Sequence, residues 1–517
     1  MKRSAKLTVA AVALSAALAN PVQLAAQELT NDGHHAKHHH YKLIVLGTLG
    51  GPQSYGDAGH GAANITSRGT AVGDADTAIA DPYYPNFNPL LSGGLINSYP
   101  YVYHAFTTNG RTLIDLGGLP GANSSTPSHI TDNGLVAGQS LNGSIDPITG
   151  WPQLNAVLWT DGKIINLGTL GGYESASARV NAQGQVAGSS TNNVPDPYSF
   201  VYLLFGGTSN GTQNRAFVWD QRNRMQDLGT LGGPDASAMA MNERGQIAGL
   251  SYINDMPNAA TGIPTVDPFL WEDGRMIDLG SLGGTFGLAG DMNDGGQVTG
   301  NSNLPGDVTQ HGFIWDRGTL KDIGTLGGTW SSANALNKRG HVVGQATITT
   351  GDYHAYIWER GVMKDLGPLP GFDDTTCIGA FGINSHDQVV GQAVQNLCAG
   401  PDAHAFLWED GDMIDVNQFV RPGSDITLTE IEQINDRGEM FGIGKLTSGE
   451  DRAFLLIPCG DDHPNVAGCD YSLVDASGLA SRPSPAVSGA AGRTLPQSLM
   501  RRMNRYRFPG RAASPRN

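Results

Sequence analysis

The chain has 517 residues, a formal net charge of -16 and 71 glycines, about twice the usual share, while charged residues are sparse. The negative charge argues against nucleic acid as a partner, because phosphate backbones call for a basic face. The glycine-rich, charge-poor composition fits a turn-rich all-β protein better than disorder or a collagen-like chain.

In chain order, residues 1–26 read as a cleavable secretory signal. Lys2, Arg3 and Lys6 form a basic start, Leu7 to Leu18 is a short apolar run, and small residues follow at Ala17, Ala19, Ala25 and Ala26. The apolar run is too short to span a bilayer, so no transmembrane segment is expected in the mature chain, which is placed in a secreted or periplasmic compartment. Residues 27–41 form a leader with His34, His35, His38, His39 and His40. Such tracts chelate Zn or Ni, and these histidines are the candidate metal ligands; an unstructured leader is the bland alternative.

Residues 42–458 repeat three phrases. One is an apolar strand with an aromatic, such as "HAFTT" at His104, "RAFVW" at Arg215, "HGFIW" at His311, "HAYIW" at His354, "HAFLW" at His404 and "RAFLL" at Arg452. Another is "DLGTLGG" and its variants. The last is a turn between two strands, N-x-x-G-x-V-x-G in its commonest form, starting at Asn181, Asn242, Asn337, Asn384 and Asn435, with looser copies at Asn64, Thr131 and Asn293. The flanking residues alternate into and out of a sheet, and a glycine closes each hairpin, so every unit reads as four short antiparallel strands. Periods of about 45 to 65 residues with four strands per unit indicate a β-propeller.

The ends of the repeat region specify closure. "YKLIVLGTLGG" is a fourth strand without its first three, and "RAFLLIP" is a third strand lacking its fourth. Pairing the N-terminal outer strand with the C-terminal strands completes a last blade and removes the free sheet edge. The expected fold is an all-β propeller of four-stranded antiparallel blades, eight-bladed, with seven blades as the alternative.

"HAFLWEDGDMIDV", "DLGTLGG" and "NDRGEMFG" resemble the HAF repeat family, extracellular repeat proteins of bacteria. The resemblance runs from about Tyr41 to Val474 and takes in "LIPCGDDHPNVAGCDYSLVDA". It implies an exported, propeller-like protein and transfers no catalytic residues.

Several motifs have bland readings. "GTLGG" lacks the Lys-Ser/Thr ending of a P-loop and no helix follows it, so its glycines are read as structural. The histidines His104, His311, His354 and His404 occupy equivalent places on different blades, too far apart to share a metal, and core or turn packing is expected. No complete Ca loop is present. No cofactor, no metal site in the repeat body and no catalytic residue is assigned.

The units differ most in the link from second to third strand: about 30 residues in the first unit, about 16, 26 and 18 in the next three, and about 9 to 12 thereafter, a variation that marks functional loops on a rigid scaffold. The candidate ligand-binding residues lie in these links: Asp81, Tyr83, Tyr84, Tyr99, Asp146, Trp151, Asp196 and Tyr198. Aromatics with Asp and Asn stack on and bond to sugars, or anchor protein partners; packing of the loops onto the blades is the bland alternative. The leading expectation is a non-enzymatic scaffold binding an extracellular glycan or surface protein. The alternative is a glycoside hydrolase or polysaccharide lyase, with Asp81 and Asp146 or Asp196 flanking a glycosidic bond.

Four cysteines form two close pairs, Cys377 with Cys398 and Cys459 with Cys469, and two local disulfides are expected in an exported chain. After the Cys loop, 459–474, residues 475–517 are Ala/Ser/Pro/Gly-rich and then basic, "SLMRRMNRYRFPGR"; a disordered tail is expected, with a merely solvated tail and peripheral contact with an anionic surface as its two readings. Oligomeric state is left open.

Overall fold

The computed structural model describes residues 40–56, 64–91, 100–108, 110, 112–121, 124–204, 210–259, 261–372, 377–395 and 402–459. These residues form eight four-stranded antiparallel sheets arranged as an eight-bladed β-propeller. Blade 1 consists of Gly50–Tyr55, Val72–Ala80, Tyr101–Thr108 and Leu113–Asp115 from axis to rim, and the other blades repeat this order. Blade 8 is assembled from both ends. Ile426–Ile434, Met440–Leu446 and Asp451–Pro458 are completed by Tyr41–Val45, which pairs with the last of them from Tyr41 opposite Pro458 to Val45 opposite Phe454. The interlock expected from the sequence is present, and eight rather than seven blades follow from it. The signal segment, most of the leader, Tyr99, Cys398, Cys469 and the basic tail lie outside the described residues.

The core lies in the seams between blades. Phe106, Phe217, Phe269, Phe313, Tyr356, Phe406 and Phe454, the aromatics of the "HAF" phrase, are fully buried. One seam joins Ile314 and Ile323 of blade 5 to Ala333, Val342, Tyr356 and Trp358 of blade 6. Each such aromatic contributes on the order of 1.5–3 kcal/mol by burial.

The histidines of "HAF" do not simply pack. Each bonds the aspartate of "DLG" across the third and fourth strands: His104 Nδ1 to Asp115 at 3.0 Å, His311 to Asp322 at 2.9 Å, His354 to Asp365 at 2.9 Å and His404 to Asp415 at 2.7 Å. Arg215 grips Asp227 in the same way at 2.9 Å. Burial alone would raise the carboxyls of Asp115, Asp322 and Asp365, but the histidine and the amide of the "DLG" glycine outweigh it and hold them below the ordinary value. As expected, these histidines belong to separate blades and serve each blade singly. Packing alone, however, is corrected to a cross-strand clasp.

The N-x-x-G turns are joined around the axis. The Asn Nδ2 of one blade donates to the backbone carbonyl of the next: Asn242 to Asn293, Asn293 to Asn337, Asn337 to Asn384, Asn384 to Asn435, and Asn435 to Thr66 across the closure. Thr66, not Asn64, is therefore the first copy's turn residue. The final glycine of the motif has a different cause. At Gly344 an added Cβ would run into the carbonyl oxygen of Ser332 on the innermost strand, and the same obstruction recurs at Gly188, Gly249 and Gly391. The innermost strands carry a bulge beside this contact, as between Ala333 and Ala335, which presses their backbone against the second strand.

Near the axis, Arg179 of blade 3 reaches past blade 4 to Asp291 of blade 5 at 3.3 Å, and both are largely buried. Burial, and then the neighbouring Arg179 charge, push His129 down to about 3, so it is neutral.

Candidate functional site

Alternation of the strands puts the second-to-third links and the "LGTLGG" crossovers on one face, and the N-x-x-G turns with the outer hairpins on the other. On the link face each long segment of blades 1–4 begins as strand, and that of blade 3 goes on into a short helix, Phe200–Leu204. Their second strands run on past the blade body as Val72–Ala80, Val136–Ile145, Val186–Asp196 and Ile247–Pro257, whereas those of blades 5–8 stop sooner, for example Val298–Asn303. In each of the four the pairing breaks before the tip, as between Thr191 and Pro195. Four ribbons thus stand off one half of the ring.

A short side chain produces each break. Thr77 Oγ1 accepts from the Ile79 amide at 3.2 Å, Asn142 Oδ1 from Ser144 at 2.9 Å, Asn192 Oδ1 from Val194 at 2.9 Å and Asn254 Oδ1 from Met256 at 3.1 Å. These local turns compete with the ladder and rotate the next residues outward. Ile79 is 58% exposed, Ile145 47%, Val194 45% and Met256 73%, and Val308 on blade 5 continues the row at 92%. Tyr84 and Tyr173 are also exposed on this face. The sequence reading missed the row because it weighed aromatics; the signal was an apolar residue next to an Asp or Asn cap at matching places, as in "NNVPD" and "NDMPN".

The candidate acids cap the ribbons. Asp81 Oδ1 accepts from the Tyr83 amide, Asp146 Oδ1 from Ile148 and Asp196 Oδ1 from Tyr198, at 2.8, 2.8 and 3.0 Å. Asp146 Oδ2 also takes the Thr149 hydroxyl at 3.1 Å. Asp81 is half-buried and burial raises its carboxyl, while Asp146 and Asp196 are 0% and 3% exposed. Each of the latter lies beside a second buried acid on the following blade, Glu174 and Asp235. Burial, then the adjacent Asp196 charge, push Asp235 well above the carboxylate range; burial, with Asp146 as a smaller contribution, does the same to Glu174. Asn88 of blade 1 ties Glu174 Oε2 to the carbonyl of Pro152, so the first ribbon leans over its neighbours.

The candidate aromatics divide. Tyr83 packs against Leu91, Tyr103, Leu141 and Leu154, and Tyr198 packs by Phe200 and Tyr252, whose hydroxyl donates to the Tyr198 carbonyl at 2.8 Å. Trp151 is half-buried, and Tyr84 projects into solvent. Packing therefore accounts for Tyr83 and Tyr198. Asp146 spends both oxygens on its own turn, whereas Asp196 gives Oδ1 to its turn and keeps Oδ2 buried without a hydrogen bond. Cys377 and Cys459 are not free thiols, but Cys398 and Cys469 lie outside the described residues, so the pairing stays an expectation.

No protein-family model matches the sequence, and no curated protein does. Among solved structures the chain is similar to an acylaminoacyl peptidase of Pyrococcus horikoshii (13% identity, TM-score 0.38, covering 74% of this chain and 56% of that one). It is also similar to TolB from Acinetobacter baumannii (13%, 0.29, 63% and 64%) and to a Trypanosoma rangeli sialidase in complex with 2,3-difluorosialic acid (12%, 0.30, 59% and 56%). The chain thus spans just over half the length of the peptidase and the sialidase and about two thirds of TolB. These likenesses are too distant to carry an argument about activity.

Proposed function

We propose that this is an exported scaffold of the HAF repeat type that binds a ligand without turning it over, and that the ligand lies across the four ribbons of blades 1–4. The observation that carries the reading is the exposure of Ile79, Val194 and Met256, each held by a side-chain turn two residues before it, with Ile145 and Val308 also exposed in the links of blades 2 and 5. Scattered apolar residues on a surface need no explanation, but a repeated row on one face fits an interaction site. The exposed aliphatic residues outnumber the two exposed tyrosines, Tyr84 and Tyr173, which favours a protein surface over a glycan, since sugars stack on flat rings. Burial of Asp146 and Asp196 weighs against the glycosidase alternative, which needs two solvent-facing carboxyls about 5 to 10 Å apart.

The test pairs glycan-array and secreted-protein binding of the wild type with the variant I79S/I145S/V194S/M256S. All four sites are exposed, so the variant is expected to keep its melting temperature and to lose binding to a protein partner at least tenfold. Unchanged binding would refute the site; saccharide hydrolysis by the wild type would refute the non-enzymatic reading.

A further inference from the structure

On the opposite face, the repeat breaks twice at one spot. The fifth residue of the N-x-x-G-x turn is Gln185, Gln246, Gln297 and Gln388 in blades 3, 4, 5 and 7, but His341 in blade 6. The turn glycine, for example Gly340 or Gly438, is replaced in blade 7 by Asp387, which keeps the left-handed backbone at φ 65. The two replacements meet: His341 Nδ1 lies 2.9 Å from Asp387 Oδ1. Glu359, at the end of blade 6's third strand, puts Oε2 3.5 Å from His341 Nε2. His341 is buried and Glu359 is half exposed, so one side of the gap opens to solvent.

We propose that His341 and Glu359 bind a divalent transition cation of the zinc class, with Asp387 as the positioning residue behind the imidazole. The glutamines show what the position does otherwise: Gln246 Nε2 donates to Glu272 at 2.6 Å, Gln388 Nε2 to Glu409 at 2.8 Å and Gln297 Nε2 to Asp316 at 3.4 Å. The histidine-to-glutamate gap is wider than these and wider than the molecule's histidine-to-aspartate clasps. Two donors at about 2.0–2.1 Å around a tetrahedral ion stand about 3.3 Å apart, close to the spacing found. Asp387 is engaged on both oxygens, by Asn337 Nδ2 at 2.8 Å and His341 on Oδ1 and by Arg339 on Oδ2. It therefore fixes the ring with Nδ1 toward Asp387 and Nε2 toward the Glu359 carboxylate, at a spacing that a cation between them would fit. An imidazole nitrogen with one carboxylate and room for water suits zinc-class ions over calcium or magnesium.

The experiment is calorimetric titration of the full chain with zinc chloride at pH 7.5, with melting curves alongside, in a background where His34, His35, His38, His39 and His40 are asparagine so that the leader histidines contribute nothing. One ion per chain and a raised melting temperature are expected, with no such shift from calcium. H341Q and D387G install the residues other blades use, so both should fold. H341Q and E359Q are expected to weaken binding at least tenfold, and D387G by about 10–100-fold, the usual effect of losing a partner behind a ligand. Zinc binding that survives H341Q, or none in the parent, would overturn the proposal.

Discussion

Asp267 provides the sharpest test of the clasp. It occupies the place of His311 and His354 in blade 4, so the "DLG" aspartate opposite, Asp278, meets another acid instead of a base. Burial, reinforced by the Asp278 charge, pushes Asp267 up to about 6 from an ordinary 3.8. Because the folded value is raised, the folded chain binds the extra proton, so stability is highest at low pH and is lost as pH rises through about 6. Two pH units correspond to about 3 kcal/mol as an upper bound; screening at this partly solvated site reduces it to about 1–2 kcal/mol. D267N removes the charge and has a precedent at Asn155, the same position in blade 2. The variant should be about 1–2 kcal/mol more stable at pH 7.5 and equal to the wild type near pH 3.5, where Asp267 is protonated when folded. Denaturant melts between pH 3.5 and 8 would show the wild-type curve falling relative to the variant between about pH 4 and 6. Parallel curves, or a less stable D267N at pH 7.5, would refute the view that this carboxyl is held against its own charge.

Other expectations follow from the same contacts. Asp76 is fully buried, and burial lifts it to about 7 against the pull of the Gln53 amide and Arg452, so D76N should gain stability over the wild type progressively up to about pH 7 in the same melts. G344A places a methyl group against the Ser332 carbonyl, where backbone must move, and should cost about 3 kcal/mol or more by chemical denaturation; a loss below 1 kcal/mol would show that the bulge yields. N384A removes the donor to Asn435 and to Gln388 and the acceptor of the His386 and Gln388 amides, and should cost about 2 kcal/mol, with faster amide exchange in the blade 7 turn as the local signature.

Much of this architecture was legible because a propeller blade is written locally. Strand alternation, a closing glycine and a fourth strand stranded at Tyr41 require no knowledge of distant contacts, and they were enough to complete blade 8. What could not be read was whatever depends on a neighbouring blade. The Asn384 side chain was recognisable as a turn cap, but its bond to Asn435 exists only once the blades are side by side. The "HAF" histidine is a separate case: its partner lies in the same blade, eleven residues on across a hairpin. Asp267 escaped notice since a proline follows it and breaks the look of the phrase.

The link face illustrates a different limit. A reading that ranks residues by chemical character picks out Asp146, Asp196 and the tyrosines, because acids and aromatics are what binding sites usually contain. Yet the residue before a proline in a turn is a natural cap: Asp146 and Asp196 both precede one, and an aspartate whose oxygens hold amides two residues on is spent on shape. The cap shapes the ribbon tip, and Asn192 and Asn254 turn what precedes it, so that Val194 and Met256 are exposed against their own hydrophobicity. Exposing them costs stability that a protein with this much glycine and little charge has no structural reason to give up. The capping aspartates of blades 2 and 3 therefore act as support, while Ile79, Ile145, Val194 and Met256 lie at the surface, with Asp255 exposed beside Met256.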